Sequence, residues 1–122
     1  MRKEISDWIA KAEADFRKAK ILFENKEFDG ATFYSQQTSE KALKAICISL
    51  GFGLIRTHDL SNLGKLVKLP IELLKKAILL NPFYTSSRYP LSEEEIYEEN
   101  TAKDSLLNAE EILKWCKQQL KI

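Results

Sequence analysis

Apolar residues recur along two long stretches of the chain with the spacing of one helix face. In the N-terminal stretch, gaps of four and three residues alternate between Ile5, Ile9, Ala12, Phe16, Ala19 and Phe23. The same rhythm runs through the C-terminal stretch at Ala102, Leu106, Ala109, Leu113, Cys116 and Leu120. Because residues three and four apart share one side of an α-helix, these stripes predict a first helix over about 6–25. They also predict a last helix that begins between Ser92 and Thr101.

A third long helix is predicted over about 29–50, and its pattern is different. One stripe of this helix is Gln36, Ser39, Leu43, Ile46 and Leu50, so its upper half is polar and its lower half is apolar. A neighbouring stripe carries Phe33, Gln37, Glu40 and Lys44. A buried amide without a hydrogen-bond partner costs about 1–3 kcal/mol. This helix therefore either holds an internal polar network or lines a binding surface.

Shorter elements are predicted between the second and last long helices. Gly51 suits the left-handed position after a helix end, and Thr57 or Asp59 can cap the next helix. Pro70 ends that helix and opens another over 71–80, whereas 83–90 is predicted as an ordered connection. No segment alternates with a period of two. The fold class is therefore all-α, an up-and-down bundle of three long helices plus one or two short ones, forming a single domain over 1–122.

Composition narrows the class of protein. The 122 residues suit one domain, 44% of them are hydrophobic, and the net charge of +1 argues against a strongly basic nucleic-acid binder. No apolar run is long enough to span a membrane and none follows the N-terminus, so we expect a cytoplasmic protein with no membrane contact. Cys47 and Cys116 occupy apolar helical positions and are predicted to be reduced core thiols, although the sequence leaves a disulfide between them open.

The single histidine, His58, excludes several kinds of metal site. A di-iron bundle needs two Glu-x-x-His pairs, and a zinc site of cysteine and histidine lacks its ligands here. Glycine-rich phosphate loops are also absent. An acidic cluster favours a solvated first helical turn, with a divalent-metal site as the alternative, and consists of Glu93, Glu94, Glu95, Glu98 and Glu99. We therefore expect no cofactor and no metal.

Two polar pairs are the candidates for chemistry. His58-Asp59 lies at a predicted helix start, where it either caps and packs or offers a proton-transfer group near neutral pH. Arg88-Tyr89 lies in the predicted ordered connection, where Arg88 either holds a carboxylate or grips a phosphate. In an up-and-down bundle both connections can fall at one end, and His58 and Arg88 would then face one site.

Taken in order, these residues resemble the HEPN family, the higher eukaryotes and prokaryotes nucleotide-binding domain. The matching positions begin with Trp8, Ala12, Asp15 and Ala19, followed by Phe33-x-x-Gln36-Gln37-x-x-Glu40-Lys41-x-Leu43-Lys44-Ala45, His58-Asp59-Leu60, Tyr84, Arg88-Tyr89-Pro90, Ala109 and Trp115. This resemblance covers almost the whole chain.

The resemblance implies a helical bundle that often forms homodimers and often pairs with a small nucleotidyltransferase. It implies two kinds of activity, a metal-independent ribonuclease toxin of a toxin–antitoxin pair or a non-catalytic nucleotide-binding module. The ribonuclease members resemble one another in an arginine followed, after four to six residues, by a histidine. Neither His58 nor Arg88 has its partner at that spacing here.

The sequence therefore favours a non-catalytic HEPN-type module that binds a nucleotide or RNA and acts with a nucleotidyltransferase partner. A ribonuclease toxin using His58 and Arg88 as catalytic residues is one alternative, and a homodimeric interaction module is the other. The predicted ligand-binding residues are Gln37, Glu40, Lys41, Lys44, His58, Asp59, Arg88 and Tyr89.

Overall fold

The computed structural model describes residues 1–86 and 97–122, and every secondary-structure element in these two ranges is a helix. The elements are α1 (Lys3–Glu24), α2 (Phe28–Ser49), α3 (Leu60–Leu66), α4 (Ile71–Leu80), α5 (Phe83–Ser86) and α6 (Glu99–Leu120). The three long helices each contain 22 residues. The predicted all-α bundle is confirmed, including the bounds of α4 and the start of α6.

Helix α2 lies at the centre of the bundle and packs along both α1 and α6. Small residues such as Ala42 and Ala45 are fully buried at these contacts, which allows the helix backbones to approach closely. Leu43 and Ile46 from α2 join Ile9 from α1 and Ile112 from α6 in one apolar core. Since neighbours cover α2 along most of its length, its polar upper half is also enclosed.

Four of the described helices end in the same way. A residue with positive φ follows the helix, and the next backbone N–H donates to the carbonyl five residues before it. After α2, Gly51 has a φ of 91°, as the sequence predicts, and the Phe52 N–H donates to the carbonyl of Cys47 at 2.9 Å. Lys26, Lys68 and Lys121 hold the equivalent position after α1, α3 and α6, with φ between 57° and 61°. A side chain makes this conformation unfavourable, so the pattern of backbone bonds, and not the residue type, fixes these three helix ends.

Helices α3 and α4 form a compact pair beside α2. The Asp59 carboxylate accepts a hydrogen bond from the Ser61 N–H at 2.9 Å, which confirms the predicted cap of α3. Gly64 permits the contact between the two helices, because a Cβ at this position would lie 2.9 Å from Leu74 Cδ1. Asn81 follows the last residue of α4 and leads into α5.

A single helical turn, α5, occupies the start of the connection that the sequence predicts as non-helical. Pro82 precedes it, and the Thr85 N–H donates to the Pro82 carbonyl at 3.3 Å. Proline suits the residue that opens a helical turn, so this local order follows from the Asn81-Pro82 step. The rest of the predicted ordered connection, from residue 87 to 90, lies outside the described residues.

Both cysteines are buried and free, as predicted. Burial raises the pKa of the Cys47 and Cys116 thiols above the ordinary value, which disfavours the reactive thiolate. Within the described ranges, no helix is long and apolar enough to cross a bilayer.

Candidate functional site

Three side chains on one line of α2 form a buried polar ladder. Gln36, Glu40 and Lys44 are spaced four residues apart, and all three are buried. The Lys44 ammonium donates to Glu40 Oε2 at 3.0 Å, and the Gln36 amide donates to Glu40 Oε1 at 3.3 Å. Trp8 from α1 lies against the Lys44 ammonium, 5.8 Å from ring centroid to Nζ. The Glu40 carboxylate is thereby charge-compensated and held away from water.

The loop between α2 and α3 brings His58 onto this ladder. Its Nδ1 lies 3.0 Å from Glu40 Oε1, and its backbone carbonyl accepts a hydrogen bond from the Gln36 amide at 3.3 Å. The ring and the backbone of His58 are therefore both tied to α2. Although the partners are buried, 52% of the His58 side chain is exposed. His58 thus connects a buried charge to the protein surface.

Tyr84 from α5 completes the surroundings of the imidazole. The two rings are stacked, with centroids 3.9 Å apart and planes at 14°. Two groups therefore fix the imidazole from different sides, the carboxylate at Nδ1 and the phenol ring on a face. This restraint reduces the rotamer freedom that His58 would otherwise lose on binding a ligand.

The hydrogen bonds assign the tautomer of His58. A carboxylate can only accept, so the Nδ1 that faces Glu40 carries the proton in the neutral ring. The second nitrogen, Nε2, then has a lone pair that can accept a proton, and it can donate a hydrogen bond once the ring is protonated. This arrangement supports either general-base chemistry or recognition of a phosphate oxygen.

Hydrogen bonds between Asn81 and the start of α3, here called the Asp59 clamp, fix the position of the loop that carries His58. The Asn81 amide donates to the Asp59 carboxylate at 2.9 Å, and the Asn81 side-chain oxygen accepts from the Leu60 N–H at 2.8 Å. Hydrogen bonds from Ser61 and Asn81 lower the pKa of Asp59. The carboxylate of Asp59 is thus occupied in holding α3 to the end of α4, next to the site.

Lys41, also predicted to bind a ligand, points to a different partner. Its ammonium forms an ion pair with Asp15 of α1, whose carboxylate is 1% exposed. Lys18 lies 3.8 Å from the other carboxylate oxygen, Asp15 Oδ1, which has no hydrogen-bond partner among the described residues. The charge of Lys41 is therefore compensated inside the α1–α2 contact, apart from the ladder.

Three predicted ligand-binding residues remain, Gln37, Arg88 and Tyr89. Gln37 is half-buried and donates from its amide to the Gln36 side-chain oxygen at 2.8 Å, which extends the ladder by one residue. Arg88 and Tyr89 lie outside the described residues. Among the residues that the structure describes, no group of three or more histidine, cysteine, aspartate or glutamate side chains can hold a metal ion.

Three members of this site are not among the predicted site residues. The sequence leaves Gln36 open between a buried and a lining position, and the structure buries it completely. Tyr84 and Asn81 act through long-range contacts. Tyr84 is one of the positions that match the family, and Asn81 belongs to a helix-ending Asn-Pro step, but neither signal indicates which loop the side chain contacts.

Comparison with known proteins identifies the family of the chain. The sequence pattern of the HEPN domain matches residues 5–119. A relative from Methanocaldococcus jannaschii, named "Putative toxin MJ1304", is 30% identical over 135 residues, covering 93% of this chain and 86% of that protein.

Two solved structures share the fold over almost their full length. ST0689, an archaeal HEPN homologue, is 34% identical and has a TM-score of 0.83, covering 97% of this chain and 98% of that one. TT1696 from Thermus thermophilus has a TM-score of 0.85 at 23% identity, covering 96% and 98%, and this likeness concerns the fold alone. The chain therefore belongs to the HEPN domain family.

Proposed function

We propose that this chain is a HEPN module that binds the phosphate of a nucleotide through His58. The observation that carries the proposal is the half-exposed imidazole, which a fully hydrogen-bonded, buried Glu40 holds at Nδ1. A surface histidine with only a structural role does not need a buried carboxylate, a buried lysine and a stacked ring to fix it. Such restraint is typical of histidines that bind or react.

The charges of the ladder favour an anionic ligand. Lys44 and Glu40 compensate each other, so protonation of His58 adds a net positive charge at the surface end of the network. A phosphate oxygen can accept a charge-assisted hydrogen bond from protonated Nε2. Arg88, whose connection can fall at the same end of an up-and-down bundle as His58, is the proposed second phosphate ligand.

The phosphate can belong to a free nucleotide or to an RNA strand. Ribonuclease activity is the second candidate function, and the Glu40–His58 contact favours it. A carboxylate at Nδ1 orients the ring so that Nε2 can take the proton of an attacking 2′-hydroxyl. The similarity to a protein named as a toxin supports this alternative, in which the chain acts within a toxin–antitoxin pair.

The proposal includes two protein partners. One is a second copy of the chain, and the other is a small nucleotidyltransferase encoded as a separate chain. Family membership supports both, because the chain matches the HEPN pattern over residues 5–119.

Binding is tested by titrating AMP, ATP and a short single-stranded RNA into the wild type, His58→Ala and Arg88→Ala, with Lys11→Ala on the outer face of α1 as control. The ring signal of the chain's single histidine reports binding by NMR. We expect a saturable shift in the wild type and the control, and about tenfold weaker binding of the phosphate ligand in Arg88→Ala. In His58→Ala, whose ring signal is lost, backbone amide signals near residue 58 report the same weakening.

This experiment distinguishes a free nucleotide from an RNA strand as the source of the phosphate. Binding of AMP or ATP indicates a free nucleotide, whereas binding of RNA alone indicates a strand. If RNA fragments appear in the presence of a metal chelator, and His58→Ala slows their formation by about a hundredfold, the ribonuclease function holds. If no probe shifts the wild-type signal, the phosphate-binding proposal is wrong.

A further inference from the structure

Helix α2 is covered by its neighbours except along one narrow strip. Between residues 35 and 48, every residue of α2 is buried apart from Gln37 and Lys41. These two residues are four apart and so lie on the same side of the helix. Because Lys41 is already paired with Asp15, Gln37 is the polar side chain of this strip that can still bind a ligand.

The hydrogen bonds of Gln36 fix the orientation of its side-chain amide. Its Nε2 donates to Glu40 Oε1 and to the backbone carbonyl of His58, each at 3.3 Å, and both of these oxygens can only accept. The nitrogen of the amide therefore faces the His58 loop, which leaves Gln36 Oε1 on the other side. Gln37 can bond to this oxygen only by donating, and it does so from Nε2 at 2.8 Å.

The orientation of the Gln37 amide follows from that bond. Its nitrogen is turned towards Gln36 and uses one of its two N–H groups there, whereas Oε1 has no donor among the described residues. Gln37 therefore offers a ligand an oxygen with two free lone pairs and, beside it, one remaining N–H group. Since Gln36 holds the amide, the acceptor and the donor cannot exchange places without breaking the ladder.

This fixed pair of groups matches the edge of adenine. A glutamine amide forms two hydrogen bonds with adenine, accepting from the N6 amino group and donating to a ring nitrogen. A base with a carbonyl oxygen in place of the amino group would set that oxygen against Gln37 Oε1, and two acceptors cannot form a hydrogen bond. The amide therefore selects a purine that carries the amino group.

Gln37 lies close enough to the proposed phosphate site to act on the same ligand. The backbone of His58 and the side chain of Gln37 bond to opposite ends of one amide, that of Gln36. A single side chain thus separates the two positions. A nucleotide that has its phosphate at His58 can therefore place its base on the open strip of α2.

We propose that Gln37 recognises the base of the ligand and that this base is adenine. The inference rests on the proposed phosphate site at His58 and adds the class of base and the residue that selects it. It holds for a free adenine nucleotide and for an adenosine within an RNA strand, because both present the same edge of the base.

The test compares ligands that differ at the amino group. AMP and IMP, in which an oxygen replaces the amino group of adenine, are titrated into the wild type and Gln37→Met, with the ring signal of His58 as the readout. Single strands of six adenosines and of six inosines repeat the comparison for RNA, and the pair that binds decides. We expect the wild type to bind the adenine ligand about tenfold more tightly than the hypoxanthine ligand, and Gln37→Met to bind both equally.

Gln119→Met, at an exposed glutamine of α6, is the matched control and should keep the wild-type preference. Any damage to the ladder in Gln37→Met weakens both ligands alike, so the change in the ratio of their dissociation constants isolates the contact with the base.

The outcomes separate this inference from the phosphate site. If the wild type binds both ligands equally, or binds the hypoxanthine ligand more tightly, the adenine inference is wrong and the phosphate site stands. A preference that survives in Gln37→Met overturns the role of Gln37. If no ligand shifts the wild-type signal, the phosphate site and the inference fall together.

Discussion

Two buried carboxylates pair with lysines of α2, and they differ in where their networks end. Asp15 pairs with Lys41 inside the contact between α1 and α2, and only Lys18 approaches from outside. Glu40 pairs with Lys44 and passes through His58 to a side chain that is 52% exposed. We call the Asp15 network closed, because it ends inside the contact between α1 and α2. We call the Glu40 network open, because it ends at the exposed ring of His58.

This contrast separates a charge pair that is confined to a helix contact from one that reaches the proposed phosphate site. Burying an ion pair does little for stability compared with apolar packing, so a buried pair is weak evidence of a stabilising role. The Asp15 pair lies at the contact between α1 and α2. The Glu40 pair contacts a ring that is 52% exposed, so the proposed phosphate-binding role belongs to that pair alone.

The largest expected effect is the loss of one charge from either network. Glu40→Ala leaves Lys44 buried without its counter-ion, and Asp15→Ala leaves the half-buried Lys41 without its own. Each change should lower the free energy of unfolding by about 3–5 kcal/mol, as measured by urea denaturation. Glu24→Ala, at the exposed end of α1, is the control and should change it by less than about 0.5 kcal/mol.

Equal losses from Glu40→Ala and Asp15→Ala would show that each carboxylate compensates a lysine in the folded protein, as the structure shows, without making either pair a net stabiliser. If Glu40→Ala proves nearly neutral while Asp15→Ala is strongly destabilising, Glu40 is not held in the network that the structure shows. The comparison between a closed and an open network would then fail.

A smaller effect is expected for Gln36→Leu, which affects only the open network. This change removes the donors to Glu40 and to the His58 carbonyl and should cost about 1–3 kcal/mol of stability. It should also release the His58 loop, so the histidine ring signal in NMR should narrow and move towards that of a free imidazole. Thr32→Val, which removes a buried hydroxyl bonded only within α2, is the control for a lost polar group.

If the ring signal of Gln36→Leu keeps its wild-type position, Glu40 and Tyr84 alone determine the ring position. The glutamine would then be a purely structural member of the ladder. Thr32→Val should leave the ring signal unchanged in either case.

The smallest effect concerns the Asp59 clamp beside the open network. The pKa of the Asp59 carboxyl is lower in the folded protein than the ordinary value of 3.8, so the unfolded chain takes up the proton first as pH falls. The stabilisation is therefore complete above about pH 5 and is lost as pH falls through the folded pKa. Asp59→Asn keeps a capping side chain but removes this dependence.

We expect the stability difference between the wild type and Asp59→Asn to shrink between about pH 5 and pH 2 in urea denaturation experiments. Asn81→Ala removes a donor that lowers this pKa, so the folded pKa moves towards the ordinary value and the stability lost over this range should be smaller than in the wild type. A difference between wild type and Asp59→Asn that stays constant over this range would contradict the clamp.

The sequence predicted the helices because their determinants are local. The alternation of four and three residues in α1 and α6, Pro70 before α4 and Gly51 after α2 act within one or two turns. The lysines with positive φ after α1, α3 and α6 were not predicted, because their closing bonds depend on backbone geometry that residue type does not encode. The turn α5 was not predicted either, although the Asn81-Pro82 step is a local signal for it.

The candidate site was predicted in part for the same reason. The spacing of Gln37, Glu40 and Lys44 placed them near one another on α2, and His58 was the only histidine of the chain. Tyr84 and Asn81 reach the site from distant parts of the sequence, and their contacts arise only after α3, α4 and α5 have packed against α2.

By itself, the sequence determined an all-α bundle, the polar half of α2 and the lone histidine, because periodicity and composition are properties of the chain. Lys41 and Lys44 lie three residues apart on the same helix and have the same chemistry. The Glu40–Lys44 pair is local, because the two residues are four apart on α2, and their spacing is visible in the sequence. Only the tertiary structure decided that Asp15 of α1 packs over Lys41 and that the His58 loop reaches Glu40, because both contacts join distant parts of the chain.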